Sequence, residues 1–245
     1  SPRFKTAVKA IQSISKGNNK VVILAHRGRP KGKDKKLSLK VFTKHLYRAL
    51  GKKVKFVPGF NFKEVKQLIE ASPDGSIFLL ENLRFLPEET KDSMKLAKEL
   101  SSLGDKYINN DFPTIHHKNA SNHAIASLLP SSMGIELKRE IDSLRKVINN
   151  PKSPSVAILG GAKTKDKLGV IENLLPKVDL ILLGGVVANT MLKARGVRIG
   201  KSLYDKDAIK HLGKLINEER IITPVDWEVK KDMILDIGSQ TIKEY

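Results

Sequence analysis

The sequence predicts an α/β protein with two lobes, each built on a parallel sheet, and a long helix that joins them. Short runs of valine, isoleucine and leucine alternate along the chain with segments of helical apolar spacing, a pattern typical of βαβ units. Residues 135–149 form one long amphipathic stretch, which a segment with two prolines closes. The strand–helix alternation resumes at Val156. The lobes are therefore expected to be Rossmann-like, and the second, with few elements before the last residue, is expected to be incomplete.

Apolar residues that recur every three or four positions predict the helices, and compact β-branched or leucine-rich runs predict buried strands. In the first lobe the predicted helices are 4–14, 37–50, 62–71 and 93–103, and the strands are 21–25, 54–57, 77–80 and 106–109. In the second lobe the strands are 156–159, 180–183 and 221–224, and the helices are 168–175, 188–194 and 207–217. The predicted divisions are a basic first lobe over 1–134, an interdomain helix over 135–150 and a partial second lobe over 151–245.

The 245-residue chain has no cysteine, which excludes a disulfide framework and thiolate chemistry. No apolar run is long enough to span a bilayer, and the first residues do not resemble a signal peptide. We therefore expect a cytoplasmic protein with no membrane partner. Because the chain starts at Ser1 without methionine and stops at Tyr245, soon after the apolar run 233–237, we also expect a fragment of a longer protein.

The net charge of +19 indicates an anionic partner. Residues 1–137 carry 25 basic and 12 acidic side chains, and the densest basic patch runs from Arg27 to Lys66. Nucleic acid, a membrane surface or a phosphorylated metabolite would suit such a surface. Aromatic residues, which stack on single-stranded bases, make up only 5% of the chain, so we do not expect nucleic acid. Most of these lysines, taken singly, are interpreted as ordinary solvated side chains.

Basic side chains follow several predicted strands at the point where each strand ends. In open α/β sheets, ligands bind outside the carboxyl ends of the strands. Arginine offers a planar fork of donors that suits carboxylate and phosphate groups. One such arginine alone would be interpreted as a surface residue, whereas the whole set favours an anion pocket. The members of the set are His26, Arg27, Arg29, Arg84, His116, His117, Lys163 and Lys167.

The segment 157–167 combines an apolar run, two glycines and three lysines. Glycines allow backbone N–H groups to approach a ligand closely, and the amino end of the helix that follows offers unpaired donors. Lys163 and Lys167 are four positions apart and would share one face of that helix. The segment fits a phosphate site and equally a plain strand–loop–helix turn, because its spacing is not that of a Walker A loop.

Several of these segments resemble motifs of the phosphoglycerate kinases, in the family's order and over essentially the whole chain. The loop 26–32, His-Arg-Gly-Arg-Pro-Lys-Gly, resembles the family's His-x-Gly-Arg-Pro-x-Gly loop. Residues 80–89 are similar to its Glu-Asn-(Leu/Val)-Arg-Phe segment, and residues 160–167 to its Gly-Gly-Ala-Lys-x-x-Asp-Lys nucleotide loop. Further similar segments follow at 184–190, 199–203, 224–226 and 235–238.

The resemblance implies a monomeric, two-lobed glycolytic enzyme. It would transfer a phosphoryl group between 1,3-bisphosphoglycerate and ADP, giving 3-phosphoglycerate and ATP, and would thus be a phosphotransferase with a carboxyl group as acceptor. The first lobe would hold the phosphoglycerate, and the second would hold ADP or ATP with Mg²⁺. Such a transfer depends on positioning and charge neutralisation more than on covalent help from the protein.

The resemblance also implies roles for residues at positions where the motifs match. The catalytic residues would be Arg3, facing the phosphoryl group in transfer, with Lys163 and Lys167. The phosphoglycerate would be bound by Arg3, His26, Arg27, Gly28, Arg29, Arg84 and His117. The nucleotide would be bound by Gly161, Ala162, Lys163, Lys167, Gly185 and Val186. No residue of this chain is expected to bind the metal directly, because the family's main segment for Mg²⁺ is absent from it.

The chain departs from the family pattern at four places. The Asp-x-Asn strand that precedes the position of Arg3 is absent, and so are the later nucleotide segments. In the segment 112–119, His117 stands where the family has a substrate arginine, and a histidine is mostly neutral at pH 7 unless its pKa is raised. Val186 stands where the family has its third nucleotide-site glycine, so its side chain would crowd the nucleotide.

Two other functions stay open from the sequence. A non-catalytic relative could use the basic first lobe to bind anions, which the net charge and His117 favour, whereas the retained arginines and lysines favour a kinase. A metal site could be built from His116, His117 and His123, although histidine pairs in a loop are weak support for one.

Overall fold

The structure is a computed structural model that describes residues 2–149, 151–230 and 233–236. The chain divides into two compact units, Ser1–Asp142 and Ser143–Tyr245, called unit 1 and unit 2 below. The division falls inside a long helix, Ile135–Asn149, whose bounds agree with the sequence prediction. The helix begins after Gly134, where the side-chain oxygen of Asn110 accepts hydrogen bonds from two backbone N–H groups of its first turn.

Unit 1 alternates helices with short strands. Its helices are α1 (Pro2–Ile14), α2 (Phe42–Leu50), α3 (Phe62–Glu70), α4 (Pro87–Thr90), α5 (Met94–Ser101) and the start of α6 (Ile135–Asn149). Its strands are β1 (Val21–Ile23), β2 (Val54–Val57), β3 (Ile77–Leu80), β4 (Tyr107–Asn109) and β5 (Ser131–Met133). The first three strands form a parallel sheet in the order β1-β3-β2, and β4 pairs in parallel with β5 in a separate sheet.

The central strand β3 explains why the unit-1 sheet lies between two layers of helices. All four of its residues are buried, and alternation along a strand sends them to opposite faces. Ile77 and Leu79 pack in a cluster with side chains of α1 and α2. Phe78 and Leu80 pack in a second cluster with side chains of α3 and α5. Both faces of the unit-1 sheet are therefore covered by apolar side chains.

Unit 2 carries a second parallel sheet. Its strands are β6 (Val156–Leu159), β7 (Leu180–Leu183) and β8 (Ile221–Ile222), in the order β6-β7-β8, and an antiparallel hairpin of β9 (Asp226–Lys230) and β10 (Met233–Asp236). Its helices, after the end of α6, are α7 (Lys165–Leu174), α8 (Gly185–Ala194) and α9 (Lys206–Ile209). Strand β6 starts where the Asp179 carboxylate accepts bonds from Ser153 and Ser155, and these bonds lower the pKa of Asp179.

Among the described residues of unit 2, helices pack against one face of the sheet. Ile181 and Leu183 of β7 lie in a cluster with side chains of α7 and α8. The opposite face carries apolar side chains that remain exposed, up to 78% at Ile158. We call this the exposed face of the unit-2 sheet. Its most exposed members are Val156, Ile158, Leu180 and Ile222.

The α/β class and the parallel sheets are confirmed, and most predicted elements are present with ends shifted by up to three residues. The predicted helix 37–50 is wrong in its first part. Two 3-10 turns, Lys35–Leu37 and Leu39–Val41, precede α2, because Ser38 between them adopts an extended conformation. The predicted helix 207–217 is also wrong: it breaks into α9 and the 3-10 turn Gly213–Asn217. Strand β5 and the β9–β10 hairpin were not predicted.

Candidate functional site

The loops that follow β1 and β3 are joined by the buried side chain of Asn82. Its oxygen accepts hydrogen bonds from the backbone N–H groups of Arg27 and Arg84, both at 3.2 Å. Its amide nitrogen donates to the carbonyl oxygens of Arg27 at 2.7 Å and Leu37 at 3.1 Å. Asn82 itself is completely buried, which strengthens these bonds. Asn82 thereby fixes the loops at the carboxyl ends of the two neighbouring strands relative to each other.

A second buried polar side chain, Glu81, fixes the 3-10 turns before α2. One carboxylate oxygen accepts the Ser38 hydroxyl at 2.7 Å, and the other accepts the backbone N–H groups of Leu39 and Asn82, both at 2.8 Å. A buried acid is stable when such donors surround it. This contact is the physical reason why the predicted helix 37–50 begins late.

The two arginines near these loops are used differently. Arg27 donates to the carbonyl oxygen of Ser38 at 3.0 Å, and its guanidinium lies 5.6 Å from the centre of the Phe42 ring. Arg84 donates one N–H to the carbonyl oxygen of Gly28 at 2.7 Å. Arginine has five N–H donors, and the rest of those on Arg84 have no partner among the described residues. Arg84 is therefore held in place with most of its fork open.

The backbone conformation at position 28 favours glycine. Its φ is +63°, and a Cβ built there would lie 2.9 Å from a methyl carbon of Leu37. A side chain there would strain the backbone, and the end of the Leu37 side chain would have to shift to make room. Arg29, the next residue, is exposed and makes no side-chain hydrogen bond within the described part of the chain.

His26 contacts a carboxylate that lies inside the unit. Its Nε2 is 2.7 Å from Oε1 of Glu89, whose side chain is fully buried at 0% exposure. The Ser121 hydroxyl lies 2.6 Å from the same oxygen, and the Ser121 N–H donates to Oε2 at 3.2 Å. Burial, and the negative charges of Glu89 and Asp111, raise the pKa of the nearby Tyr107 hydroxyl. Glu89 therefore links the loop after β1 to the segment after β4.

The structure thus brings together His26, Arg27, Gly28 and Arg84 of the predicted phosphoglycerate residues, with Arg29 on the same loop. Arg3 lies in the first turn of α1 and is exposed. His117 is exposed and its ring stacks on that of His116 at 4.2 Å. We call the loops after β1 and β3, which Asn82 joins, the braced loops. No described contact joins Arg3 or His117 to them.

The three histidines considered for a metal site are not gathered around one point by any described contact. His123 pairs through Nδ1 with Asp92 at 2.6 Å, whereas His116 and His117 stack on each other. Within residues 2–149, 151–230 and 233–236, no group of three or more histidine, aspartate or glutamate side chains is placed to hold a metal ion.

In unit 2, the loop after β6 leaves a row of backbone donors unused. The N–H groups of Gly161, Ala162 and Lys163 have no acceptor among the described residues. Gly161 has φ +131°, and the position of a Cβ on Gly185 would lie 3.6 Å from the Gly161 nitrogen. The glycine turns after β6 and β7 therefore lie side by side. Successive free N–H groups before a helix are the arrangement that binds phosphate.

Helix α7 begins at Lys165, so the prediction that Lys163 and Lys167 share one helical face is wrong. Lys163 lies in the preceding loop because Thr164 is anchored. Its hydroxyl is buried and 3.1 Å from that of Thr190, which in turn accepts the backbone N–H of Asp205 at 2.9 Å. Lys163 is exposed and Lys167 is partly buried, on the third residue of α7.

Val186, the residue that was expected to crowd the nucleotide, is the second residue of α8 and partly buried. Its carbonyl oxygen accepts the hydroxyl of Thr190 at 2.7 Å. Gly185 before it has φ +59°, a conformation that favours glycine. The predicted nucleotide residues thus lie on two adjacent turns of unit 2, at the carboxyl ends of β6 and β7.

The donors in this loop suit phosphate groups and do not suit a divalent cation. Mg²⁺ prefers carboxylate and other oxygen ligands in octahedral geometry. The loop offers N–H groups and two lysines instead, and the described residues contain no acidic cluster. A nucleotide phosphate therefore fits the residues present, whereas Mg²⁺ does not.

Sequence reasoning missed the residues that hold the site in place, namely Glu81, Asn82, Glu89 and Ser121. A signal was present for two of them. Glu81 and Asn82 directly follow an entirely apolar strand, where a polar pair needs buried partners. Glu89 and Ser121 are 32 positions apart, and no sequence pattern connects them.

The family model "Phosphoglycerate kinase" matches residues 1–245. The chain is 38% identical over 248 residues to the phosphoglycerate kinase of Finegoldia magna, covering 98% of this chain and 63% of that protein. It is 37% identical over 246 residues to the cytosolic phosphoglycerate kinase of Triticum aestivum, covering 98% of this chain and 61% of that protein. The chain thus spans less than two thirds of the length of these relatives.

Solved structures give the same result. The phosphoglycerate kinase of Pyrococcus horikoshii OT3 matches with a TM-score of 0.85 and 30% identity, over 98% of this chain and 64% of that one. The phosphoglycerate kinase of Coxiella burnetii matches with a TM-score of 0.80 and 32% identity, over 97% and 63%. Among the described residues, no helix has the length and apolar character needed to cross a membrane.

The family model matches the whole chain, and the relatives and solved structures agree with it. The chain belongs to the phosphoglycerate kinase family.

Proposed function

We propose that this chain takes part in the phosphoglycerate kinase reaction, the reversible transfer of a phosphoryl group between 1,3-bisphosphoglycerate and ADP. In this proposal unit 1 binds the phosphoglycerate and unit 2 binds the nucleotide phosphates. The observation that carries the proposal is the pair of braced loops in unit 1, which hold His26 and Arg84 in fixed positions next to the exposed Arg29.

Unit 1 suits a small, highly charged anion. 3-Phosphoglycerate carries a carboxylate at one end and a phosphate at the other, and each is recognised best by charge-assisted hydrogen bonds. Arg84 offers unused N–H donors, Arg29 is exposed, and His26 lies on the same loop as Arg29. Because Asn82 fixes the backbone of Arg27 and Arg84, less backbone entropy remains to be lost on binding.

Unit 2 suits the phosphates of a nucleotide. Three N–H groups of the loop after β6 have no acceptor in the described part of the chain, and together with the adjacent start of α7 they favour negative charge. Lys163 and Lys167 add two positive charges near this loop. We assign Gly161, Ala162 and Gly185 to backbone contact with the phosphates, and Val186 remains a residue whose side chain limits the space there.

The chemistry assigned to the chain is positioning and charge neutralisation. In the direction of ATP formation, the bond between phosphorus and the carboxyl oxygen of 1,3-bisphosphoglycerate breaks, and a bond to the terminal phosphate oxygen of ADP forms. Arg3, Lys163 and Lys167 stabilise the charge on the group in transfer. Exclusion of water protects the acyl phosphate from hydrolysis.

The cofactor, location and assembly are assigned by the same reasoning. The described residues do not hold Mg²⁺; when bound to the nucleotide phosphates, it would supply further charge neutralisation there. A cytoplasmic location and a monomeric state are proposed from the family. The alternative of a non-catalytic anion-binding protein is not favoured, because the relatives and solved structures described above are all phosphoglycerate kinases.

Titration calorimetry with 3-phosphoglycerate tests the proposal. We expect binding by the unmodified chain and a loss of at least about tenfold in affinity for Arg29→Ala, because one charge-assisted contact contributes roughly 1.5–3 kcal/mol. Lys53→Ala is the matched control. It removes the same charge from unit 1, but Lys53 directly precedes β2 at the amino end of the sheet, so its affinity should change by less than about twofold.

A parallel titration with Mg-ADP tests unit 2, where Lys163→Ala should weaken binding and Lys193→Ala, on the last turn of α8, should not. If the unmodified chain binds no 3-phosphoglycerate, or if Arg29→Ala and Lys53→Ala weaken binding equally, the assignment of the phosphoglycerate site is contradicted. Equal losses would indicate attraction by net charge alone.

A further inference from the structure

The buried carboxylate of Glu89 has no role in the function proposed above, although it contacts one of the residues assigned to phosphoglycerate. Its partners are His26 at 2.7 Å and Ser121, which contributes both its hydroxyl and its backbone N–H. Each of these contacts comes from a segment distant in sequence. A carboxylate at 0% exposure is stable only with such partners, so His26 and Ser121 together stabilise the buried Glu89.

The hydrogen bonds around Glu89 identify which nitrogen of His26 carries a hydrogen. The backbone N–H of Ser121 can only donate, and the 2.6 Å contact of its hydroxyl is typical of a bond to an ionised carboxylate. With Glu89 ionised, both carboxylate oxygens act as acceptors. Nε2 of His26 must then be the donor to Oε1, and this assignment follows from the network of contacts.

Nδ1 of His26 is consequently the nitrogen left for a ligand. It makes no hydrogen bond to another described residue of unit 1, and the described residues include no side-chain nitrogen or oxygen that is both buried and unpaired. Nδ1 is therefore accessible. In the neutral ring with hydrogen on Nε2, Nδ1 presents a lone pair, which repels an anion. In the protonated ring, Nδ1 presents an N–H, which attracts one.

We propose that Glu89 is a positioning residue that turns Nδ1 of His26 toward an anionic ligand and holds the ring protonated in the complex, so that ligand binding takes up a proton. The inference rests on the proposed function of unit 1, and it adds a pH-linked contact to it. The buried negative charge compensates the imidazolium, which would otherwise add to the positive charge of the neighbouring arginines.

The other titratable and charged groups on the surrounding segments have partners of their own, carry fixed charge or stay neutral. Tyr107 stays neutral because burial and the charges of Glu89 and Asp111 raise its pKa, and Asp111 accepts the Thr114 hydroxyl. Arg27 is engaged by Ser38 and Phe42, and Arg84 by Gly28. On the segment after α4, Asp92 pairs with His123. Glu81 is surrounded by donors from Ser38, Leu39 and Asn82, and Arg29 keeps its charge at all relevant pH values. Glu89 is thus the acidic group in direct contact with the His26 ring.

Nitrogen NMR of the histidine rings tests the tautomer in the unmodified, ligand-free chain. We expect the neutral His26 ring to carry its hydrogen on Nε2. A ring with its hydrogen on Nδ1 would overturn the proposal. This measurement needs no ligand, so it stands even if the chain fails to bind phosphoglycerate, which would contradict the proposed function separately.

Calorimetry in two buffers of different ionisation enthalpy measures the protons taken up when 3-phosphoglycerate binds. At pH 8 the phosphate of the ligand is already ionised, so uptake reports on the protein. We expect the unmodified chain to take up a substantial fraction of one proton. Glu89→Gln should abolish this uptake and weaken binding about tenfold, since the amide cannot compensate the imidazolium.

Asp92→Asn is the matched control, because it makes the same change from carboxylate to amide at a histidine pair on a neighbouring position. It should leave both proton uptake and affinity unchanged. If Glu89→Gln folds and takes up the same proton as the unmodified chain, Glu89 has only a structural role and the proposal is overturned. If Glu89→Gln does not fold, Ser121→Ala, which removes one donor from the carboxylate, should shift the pH dependence of binding, and no shift would contradict the proposal.

Discussion

The sheets of the two units differ in how many of their faces are covered. In unit 1, the residues of β3 pack alternately into two apolar clusters, with Ile77 on one face and Phe78 on the other. In unit 2, β7 packs Ile181 against helices, whereas Ile158 on the neighbouring β6 is 78% exposed. Parallel sheets in α/β proteins are normally covered on both faces. The described part of unit 2 has that cover on one face only.

The loops at the carboxyl ends of the strands differ in the same sense. In unit 1, buried Glu81, Asn82 and Glu89 supply partners for the loop backbone and for His26. In unit 2, the N–H groups of the loop after β6 are unpaired within the described residues, and Thr164 anchors only its end. A loop in which the protein supplies the partners is fixed before a ligand arrives. A loop with unused donors is completed by the ligand.

The comparison explains why the two units place polar groups differently. Two covering layers exclude water from the edge of the unit-1 sheet, so buried carboxylates and an amide become strong fixed partners there. A sheet with one open face excludes water less well. In unit 2, backbone N–H groups and exposed lysines therefore supply the polar groups of the loop in place of buried side chains. The following predictions test this difference, from the largest effect to the smallest.

The largest expected effect separates the covered and open sheet faces by an identical substitution. Ile77→Ala should lower the free energy of unfolding of unit 1 by about 4 kcal/mol, because Ile77 is completely buried and its removal leaves a cavity. Ile158→Ala, on the exposed face of the unit-2 sheet, should change the stability of unit 2 by less than about 0.5 kcal/mol. Hydrogen exchange in urea, read peptide by peptide, measures each unit. Equal losses in the two variants would mean that the exposed face is covered in solution.

The next effect concerns the braced loops. Asn82→Ala removes the partners of four backbone groups and should lower the stability of unit 1 by about 3 kcal/mol, with increased exchange at residues 26–29 and 82–85. Lys163→Ala in the unit-2 loop should change stability by less than about 0.5 kcal/mol, because its side chain has no described partner. If residues 26–29 and 82–85 of Asn82→Ala remain as protected from hydrogen exchange as in the unmodified chain, the proposed difference between the two units is contradicted.

The smallest effect appears at alkaline pH. Burial and the charges of Glu89 and Asp111 raise the pKa of Tyr107, so the unfolded chain loses this proton first, above about pH 10. The free energy of unfolding of unit 1 should therefore be unaffected below that pH and fall above it by up to about 1.4 kcal/mol per pH unit. Tyr107→Phe should remove this part of the pH dependence, whereas Tyr47→Phe, at an exposed position, should not. An unchanged alkaline profile in Tyr107→Phe would contradict the burial of the hydroxyl beside Glu89.

The apolar pattern was sufficient to predict the class and most of the elements. Strands such as β2, β3, β6 and β7 agree with their predicted bounds because each is a short apolar run between clear turn signals. The helix predicted at 37–50 begins late because Glu81 binds Ser38 and Leu39 from more than 40 positions away. Such a contact leaves no local pattern, so periodicity alone cannot show it.

The charged residues of the candidate site could be predicted from the sequence, whereas the buried polar side chains that hold them in place could not. The basic side chains at the strand ends follow from the rule for open sheets, and the family motifs named them individually. The role of Glu89 could not be predicted, because its contacts with His26 and Ser121 exist only in the folded unit. The prediction that Lys163 lies on a helix is wrong, and periodicity could not show the contact between Thr164 and Thr190 that precedes α7.

Residue-resolved hydrogen exchange of the unmodified, ligand-free chain is the most direct test of the central claim that the unit-1 loops are fixed in advance and the unit-2 loop is open. We predict that the N–H groups of Arg27, Leu39 and Arg84, bonded to buried side chains, are protected by at least about 100-fold. Those of Gly161, Ala162 and Lys163 should exchange within about tenfold of the rate of an unfolded chain. Equal protection of the two sets, or stronger protection of the unit-2 loop, would contradict the account.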